Sequence, residues 1–216
     1  MKNLKTRMSM FTLIFVASLL FLITGCINDT PNPAEPALSE ENVIMYRMDG
    51  NMEDYKTFSI ESLIANQGTK AISARLINLS ANGHFTNPLG DNKHTFSIMQ
   101  NNGGVNGAYI IKGGFIGEIH MTSECIVVEG NRAVVSGQIT KISGDNPFGL
   151  VLGDYLYFCH EDNGEGKNAP ADRSNAYFLV SRGESPICDL LPPSYWSTEL
   201  DEWVDVLDDS DQIQIK

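Results

Sequence analysis

Short apolar runs separated by turn residues fill most of the chain after Lys93, and this pattern constrains the fold more than any other feature. Seven such runs are rich in Ile, Val, Phe, Tyr or Thr, a composition that indicates strands. Pairs such as Gly113-Gly114 and Asn163-Gly164 lie between them and favour tight turns. The predicted strands are 94–100, 107–112, 115–122, 124–129, 132–142, 154–160 and 175–181.

The spacing of these runs predicts how the strands are arranged. They recur at intervals of roughly ten residues, and no long helical pattern separates them, which is typical of antiparallel sheets. The connections are too short for the crossovers that parallel strands need. The sequence therefore predicts an all-β fold, an antiparallel meander that forms a single barrel or sandwich of about 8 strands.

One hairpin and its alternation are especially clear. Gly130-Asn131 separates two Val-rich runs, and both residue types accept the positive φ of a two-residue turn. Along the strand that follows, one set of alternate residues is mostly apolar and is predicted to face the core, and the other set is mostly polar and is predicted to meet solvent. The core set is Ala133, Val135, Gly137 and Ile139, and the solvent set is Val134, Ser136, Gln138 and Thr140.

One short helix is predicted near the C-terminus. Apolar residues recur there at helical spacing, and Thr198 to Asp201 fit a capping box that follows the break at Pro192-Pro193. We expect an amphipathic helix over 198–207 that packs on the sheet, and a last strand near 212–215. The residues at helical spacing are Trp196, Leu200, Trp203, Val204 and Leu207.

The first 25 residues follow the plan of a secretory signal. Lys2, Lys5 and Arg7 form a basic start, and an apolar run follows over 10–23. As a helix that run reaches roughly 21 Å, which is short of the roughly 30 Å hydrocarbon core of a bilayer. We therefore predict a signal peptide over 1–25 that is cleaved, and not a transmembrane anchor.

The apolar run ends in Ile23-Thr24-Gly25-Cys26. These four residues resemble the lipobox of bacterial lipoproteins, which consists of a branched apolar residue, a small residue, Gly or Ala, and Cys. The resemblance implies that Cys26 carries fatty-acid chains such as palmitate and becomes the N-terminus of the mature protein. Two or three acyl chains suffice for stable anchoring to a membrane. An ordinary cleaved signal followed by a chance cysteine is the alternative.

The lipid implies a place in the cell envelope. Ile27 follows Cys26 where an Asp would resemble an inner-membrane retention signal. This favours the outer membrane in a bacterium with two membranes, and the outer face of the plasma membrane in a bacterium with one.

Composition divides the mature chain into a tether and a domain. The stretch 26–42 contains three prolines with Asn, Asp and Glu, which is typical of a flexible tether. The remainder, 43–216, has the length of a single β domain. Without residues 1–25 the chain has 12 basic and 27 acidic side chains, a formal charge of −15. This charge repels nucleic acid and anionic lipid head groups, and it favours a cationic or basic partner.

Three cysteines remain once Cys26 is set aside, and they allow at most one intramolecular disulfide. We predict that Cys159 takes part, pairing with Cys125 if their strands lie side by side or with Cys188 if the late loop folds back. The pairing of Cys125 with Cys159 is the one we favour for the site assignment. Three buried free thiols are the alternative.

Strand and turn sequences between Gly114 and Val180 carry a family resemblance. They include the hairpin Val128-Glu129-Gly130-Asn131-Arg132-Ala133 and the acidic stretch Asp162-Asn163-Gly164-Glu165-Gly166. Together these segments resemble a family of small, uncharacterised bacterial exported proteins. The resemblance covers about 90 to 110 residues and implies a single β-barrel-type domain. It implies no activity or substrate.

The acidic loop after the sixth predicted strand is the best candidate for a binding site. Asp162, Glu165 and Asp172 are its proposed ligands, because carboxylate oxygens on a pliable, glycine-containing loop suit Ca²⁺. The pattern is not an EF-hand. The alternative is a solvated hairpin tip whose Asp and Asn side chains brace their own turn.

No catalytic motif is found. The sequence has no nucleophile elbow, P-loop or dinucleotide fingerprint, and its four histidines are not spaced as a zinc motif. His84, His94, His120 and His160 are predicted to be surface or half-buried residues without a shared role.

The function expected from these features is that of a lipid-anchored, non-enzymatic module that binds a protein partner or a small apolar ligand. Two alternatives are an accessory structural lipoprotein with no small ligand, and a ligand carrier with a calcium-stabilised loop.

Overall fold

The structure is a computed structural model that describes residues 42–51, 55–66, 78–102, 104–165, 168–183, 186–206 and 212–216. These residues belong to one compact unit, Leu38–Lys216. The predicted signal peptide, Cys26 and nearly all of the predicted tether lie outside the described residues.

The described residues form twelve strands and three short helical segments. The helical segments are α1 (Ile60–Asn66), α2 (Pro193–Glu199) and a 3-10 turn (Cys188–Leu190). The prediction of an all-β fold with a short C-terminal helix is confirmed, with more strands than expected. The strands are β1 (Asn42–Arg47), β2 (Tyr55–Ser59), β3 (Leu79–Asn87), β4 (Asn92–Asn101), β5 (Gly104–Lys112), β6 (Glu118–Glu129), β7 (Arg132–Ser143), β8 (Tyr155–Glu161), β9 (Arg173–Asn175), β10 (Tyr177–Ser181), β11 (Trp203–Asp205) and β12 (Gln212–Ile215).

All twelve strands belong to one antiparallel sheet. Its order is β12-β3-β4-β5-β6-β7-β8-β10-β1-β2, and β9 pairs with β8 and β11 beside this path. From β3 to β8 each strand pairs with the next one in the chain, which confirms the predicted meander.

Strand β6 is one long strand where the sequence predicts two, 115–122 and 124–129. Ser123 lies between those two segments, next to a register shift in the pairing with β7. A bulge of this kind lets a long strand bend without ending. Opposite it, a Cβ atom on Gly137 would lie 2.5 Å from the carbonyl oxygen of Thr122, so only glycine fits there.

One face of the sheet encloses an inner core. Strand β4 shows the pattern most clearly, because its alternate residues Asn92, His94, Phe96 and Ile98 are buried while those between them are exposed. Side chains from β1, from β3 to β8 and from β10 and β12 join the same cluster. The sheet therefore curls around this core.

Carboxylate side chains complete the curl at β12. This strand pairs with β3 on one side, and its other edge faces the loop after β8. Asp172 Oδ2 accepts a hydrogen bond from the amide of Ile213 at 2.8 Å, and Asp162 Oδ2 accepts one from the amide of Ile215 at 2.9 Å. The two side chains take the place of a neighbouring strand and give the sheet a barrel-like shape.

An outer core covers the opposite face of β1, β7, β8 and β10. Its cover is α1 together with the segment 186–200, in which Trp196 is fully buried. The prediction that Val134 and Ser136 meet solvent is wrong, because this cover lies over their part of β7. The core-facing set of β7 is confirmed, since each of its residues is buried.

Helix α2 begins and ends earlier than predicted. Pro193 fixes the φ angle of its first residue, and the chain leaves the helical conformation at Leu200, where φ is −129°. The predicted helix over 198–207 is therefore wrong in its bounds, since Trp203–Asp205 pairs with β9 as strand β11. The last strand, predicted near 212–215, is confirmed as β12.

The disulfide joins Cys125 to Cys188, whose Cα atoms are 6.3 Å apart, and Cys159 is a buried free thiol. The predicted pairing of Cys125 with Cys159 is wrong. These two residues lie on β6 and β8, with β7 between them. Strands two places apart are separated by about 10 Å, which exceeds the reach of a disulfide. Burial raises the pKa of the Cys159 thiol.

Candidate functional site

Three polar side chains meet inside the inner core. His94 lies on β4, Tyr109 on β5 and His160 on β8, and each is at most 1% exposed. Because inward positions alternate along a strand, each of the three occupies a place that an apolar residue would otherwise take. The structure thus brings together two of the four histidines that the sequence predicted to be unconnected.

Tyr109 links the two histidines. Its hydroxyl oxygen lies 2.9 Å from His94 Nδ1 and 3.1 Å from His160 Nε2. A neutral imidazole has one N–H and one bare nitrogen, so the hydroxyl donates to one histidine and accepts from the other. The outer ring nitrogens, His94 Nε2 and His160 Nδ1, have no hydrogen-bond partner in the part of the chain that the structure describes.

Aromatic rings surround both imidazoles and keep them uncharged. His94 stacks on Phe85 with 4.8 Å between ring centroids, and His160 stacks on Phe96 at 4.7 Å. Burial lowers the pKa of His94 to about 3. Burial, with His94 nearby, also lowers the pKa of His160 well below its usual value. Both side chains are therefore neutral at pH 7.

A small void lies beside His94. Its volume is ≈ 10 Å³, and Asn92 and apolar side chains such as Ile111 and Phe178 line it with His94. This is room for about one water molecule, whereas sites for drug-sized ligands usually hold several hundred Å³. The unpaired Asn92 Oδ1 belongs to the same lining. The void therefore suits one small hydrogen-bonding molecule.

The enclosure limits the chemistry of this group. Tyr109 can pass a proton between the two imidazoles, and burial raises the pKa of its own hydroxyl well above the usual value. A general base must come within hydrogen-bond distance of its substrate, and these side chains are sealed from solvent. The two histidines and Tyr109 therefore place polar atoms inside the core and present no reactive atom at the surface.

The acidic loop predicted as a calcium site has its carboxylates occupied. Besides the bonds to β12, Asp162 Oδ1 accepts from the amide of Gly164 and Asp172 Oδ1 from the amide of Asn163, both at 2.8 Å. Glu165 accepts a hydrogen bond from the side chain of Gln214. Burial and the neighbouring carboxylates raise the pKa of Asp172 despite its two amide donors.

In this arrangement the acidic loop is hydrogen-bonded to β12, the edge strand of the sheet. Among the described residues, no three His, Cys, Asp or Glu side chains are placed to hold one metal ion. The calcium site predicted from Asp162, Glu165 and Asp172 stays a prediction, and each of these carboxylates already accepts a hydrogen bond from within the protein.

A charged cluster lies next to this loop. The carboxylate of Glu161 is 5% exposed and accepts hydrogen bonds from Arg132 Nε at 2.9 Å and from Arg173 Nε at 2.5 Å. The guanidinium carbons of both arginines lie near the ring of Trp203, at 5.0 and 5.5 Å from its centroid. Burial alone would raise the pKa of Glu161, but the two arginines outweigh it and lower the pKa. The cluster ties β7, β8, β9 and β11 together.

Sequence reasoning missed both groups, although a signal was present for one. His94 is followed at alternate positions by Phe96 and Ile98, and His160 is preceded at alternate positions by Phe158 and Leu156. This alternation places both histidines on the core face. Nothing comparable in the sequence indicates that Arg132, Arg173 and Trp203 meet.

Cys26, the predicted lipidation residue, lies outside the described residues. Within those that are described, no helix has the length and apolar character needed to cross a membrane. Compared with known protein families, with curated proteins and with solved structures, the chain has no match.

Proposed function

We propose that this chain is a bacterial envelope lipoprotein, held on a membrane by fatty acids on Cys26, whose β domain acts as an interaction module through its outer surface. The packing around His94 supports the second part of this proposal, because aromatic rings surround this side chain and the void beside it has a volume of only ≈ 10 Å³. A carrier of an apolar ligand would need a much larger interior. The lipobox-like Ile23-Thr24-Gly25-Cys26 supports the first part.

The outer surface supports contact with a partner. Tyr55 on β2 and Met99 on β4 are exposed, and aromatic residues and Met are enriched at protein interfaces. The formal charge of −15 of the mature chain favours a basic or cationic partner over nucleic acid. The other exposed large apolar residues of the described part are Ile64 on α1 and Val151 and Leu152 in the loop after β7.

The anchor is tested by feeding cells an alkyne-bearing fatty acid and comparing the wild-type chain with Cys26→Ser. We expect the wild-type chain to carry the label and to float with membranes, and the variant to do neither. A wild-type chain that is unlabelled and soluble would contradict the anchor.

The interaction module is tested by placing a photo-crosslinking amino acid at Tyr55 or Met99 in the full-length chain in cells. Thr140, which is exposed and polar, is the matched control position. We expect a discrete adduct with a partner from an apolar position and none from Thr140. If no position gives an adduct, the chain is an accessory structural lipoprotein. A bound organic mass in native mass spectra would instead indicate a carrier.

A further inference from the structure

We propose that the β domain touches the lipid bilayer directly through an apolar tip formed by Val151 and Leu152. This inference rests on the proposed lipid anchor and adds to it a second contact that orients the domain. Both residues lie in the loop that connects β7 to β8, and each of these strands pairs with a neighbour on both sides.

The tip exposes two aliphatic side chains, whereas two other apolar side chains of the same loop are buried. Val151 is 46% exposed and Leu152 is 65% exposed, whereas Phe148 and Leu150 of the same loop enter the inner core. Leu152 is the most exposed of the large apolar residues in the described part of the chain. The loop thus points two apolar residues inward and two outward.

Hydrogen bonds hold the tip in this conformation. The Asn146 side chain accepts from the amide of Leu150 at 3.0 Å and donates to its carbonyl at 2.8 Å. Asp154 Oδ2 accepts from the amide of Val151 at 2.9 Å, and Arg182 Nε donates to Asp154 Oδ1 at 3.1 Å. A braced loop presents its apolar side chains without a further loss of backbone entropy on binding.

The tip lies on the edge of the sheet where the tether arrives. Tyr155 pairs with Ser181, Ser181 pairs with Val43, and Val43 pairs with Phe58, so these four residues form one row across β8, β10, β1 and β2. The loop that carries the tip leads into β8 at Tyr155, which belongs to this row. Strand β1 begins at Asn42, one residue before Val43 of the row. Two strand spacings, about 10 Å, separate the start of β1 from the start of β8.

The chain that leads from the proposed lipid anchor joins the domain at this edge. Residues 26–41 are 16 residues that connect the lipidated cysteine to Asn42. Sixteen residues span at most about 53–58 Å when fully extended, which sets an upper limit on the distance between the anchor and this edge. Helix α1 leaves β2 at Ser59, which pairs with Asn42, and its Ile64 is 57% exposed. A second apolar side chain therefore lies on the same edge.

The size of the tip favours a bilayer over a protein as the occupant. A stable protein interface covers about 20 to 30 residues on each side. Two or three aliphatic side chains are too few for that, but they suffice to enter the boundary between head groups and acyl chains once a lipid anchor holds the domain nearby. The tip would therefore set the orientation of the domain, while the lipid supplies the affinity.

The test uses full-length lipidated protein in protein-free vesicles of phosphatidylcholine, whose lack of net charge avoids repulsion of the acidic domain. A thiol-reactive, polarity-sensitive fluorophore is placed on Leu152→Cys or on the matched control Met99→Cys. Met99 is 55% exposed and lies on β4, four strands from β8. The native cysteines do not interfere, because Cys159 is buried and Cys125 and Cys188 are bonded to each other.

We expect the fluorophore at position 152 to shift to the blue and to be quenched by brominated acyl chains severalfold more strongly than the fluorophore at position 99. Equal quenching at both positions would overturn the tip contact. A shift that occurs only in native envelope vesicles would assign the tip to a protein partner and would also overturn it.

A second measurement guards against an effect of the label itself. A fluorophore on Val151→Cys should lose its blue shift when Leu152→Asp is added, and Met99→Asp should leave the shift unchanged. Co-flotation with the vesicles is recorded in every sample. Protein that fails to float contradicts the lipid anchor, whereas protein that floats with a water-exposed tip contradicts only the inference.

Discussion

The inner and outer cores bury similar kinds of side chain but are assembled in different ways. Successive strands of the meander build the inner core, and each strand contributes its alternate residues. The outer core instead brings strand faces together with a segment that lies far along the chain, and the disulfide between Cys125 and Cys188 spans 63 residues. Strands that are neighbours in the chain supply most of the first core, whereas the second is closed by a long-range covalent bond.

The two cores also differ in their chemical weak points. The inner core contains two neutral imidazoles, those of His94 and His160, that cannot accept charge without being exposed. The outer core contains a disulfide that a reductant can open. Acid should therefore weaken the inner core, and reductant should weaken the outer core.

The largest effect is expected from acid on the inner core. The folded state holds both histidines neutral, so the unfolded state binds more protons once the pH falls below the usual pKa of 6.5. The free energy of unfolding should fall as the pH drops through 6.5 and continue to fall until about 3, where His94 itself protonates. Between pH 7 and pH 5 the expected loss is about 2 kcal/mol for each histidine.

Urea unfolding at several pH values measures this loss. In a variant with His94→Gln and His160→Gln, the dependence on pH between 7 and 5 should nearly disappear, whatever the stability of that variant at pH 7. The pair His84→Gln and His120→Gln is the control and should retain the wild-type dependence. An unchanged dependence in the first variant would show that the inner histidines do not control acid stability.

A smaller effect is expected from loss of the disulfide. The double substitution Cys125→Ala and Cys188→Ala should lower the free energy of unfolding by about 2–4 kcal/mol, since it frees a long loop in the unfolded chain. We expect hydrogen exchange to rise first in the segment 186–200, while β4 and β5 stay protected. Cys159→Ala, which removes a buried thiol and keeps the disulfide, is the control. Exchange that rises equally in both cores would show that they open as one unit.

The smallest effect concerns the carboxylate of Asp172, which holds β12 against the inner core. Asp172→Asn replaces one acceptor oxygen with an NH2 group, which leaves an amide without a partner at β12 or in the acidic loop. The expected cost is about 1–3 kcal/mol, with faster hydrogen exchange at Ile213. Asp145→Asn, in an exposed loop, should change neither quantity. A stable variant with a protected Ile213 would mean that β12 needs no carboxylate partner.

The sequence predicts the parts of the fold that local pattern determines. Alternating residues and Gly-Asn turns identify most strands between β4 and β10, because period-two alternation and turn chemistry act over a few residues. The strands β1, β2 and β3 escaped prediction. So did β11, since Trp203 fits a helical stripe as well as it fits a strand.

The disulfide and the role of the acidic loop were harder to predict, because both depend on contacts between distant parts of the chain. Cys125 and Cys188 meet only when the segment 186–200 folds back over β7, and no local signal favours that pairing over Cys159. Asp162 and Asp172 have the composition of a cation site, and only the position of β12 shows that amide groups use their oxygens. The residue types indicated that these carboxylates bind a positively polarised group, but the position of β12 determines that this group is a backbone amide.

The carboxylates along β12 also bear on how copies of this chain meet. An edge strand with free amides can template the strand of another molecule, which leads to aggregation or domain swapping. On β12 the outward amides of Ile213 and Ile215 are already hydrogen-bonded to Asp172 and Asp162. A second copy that approaches along this edge meets negative charge and amides that are already hydrogen-bonded. We therefore expect no strand pairing between copies along β12, even at high protein concentration.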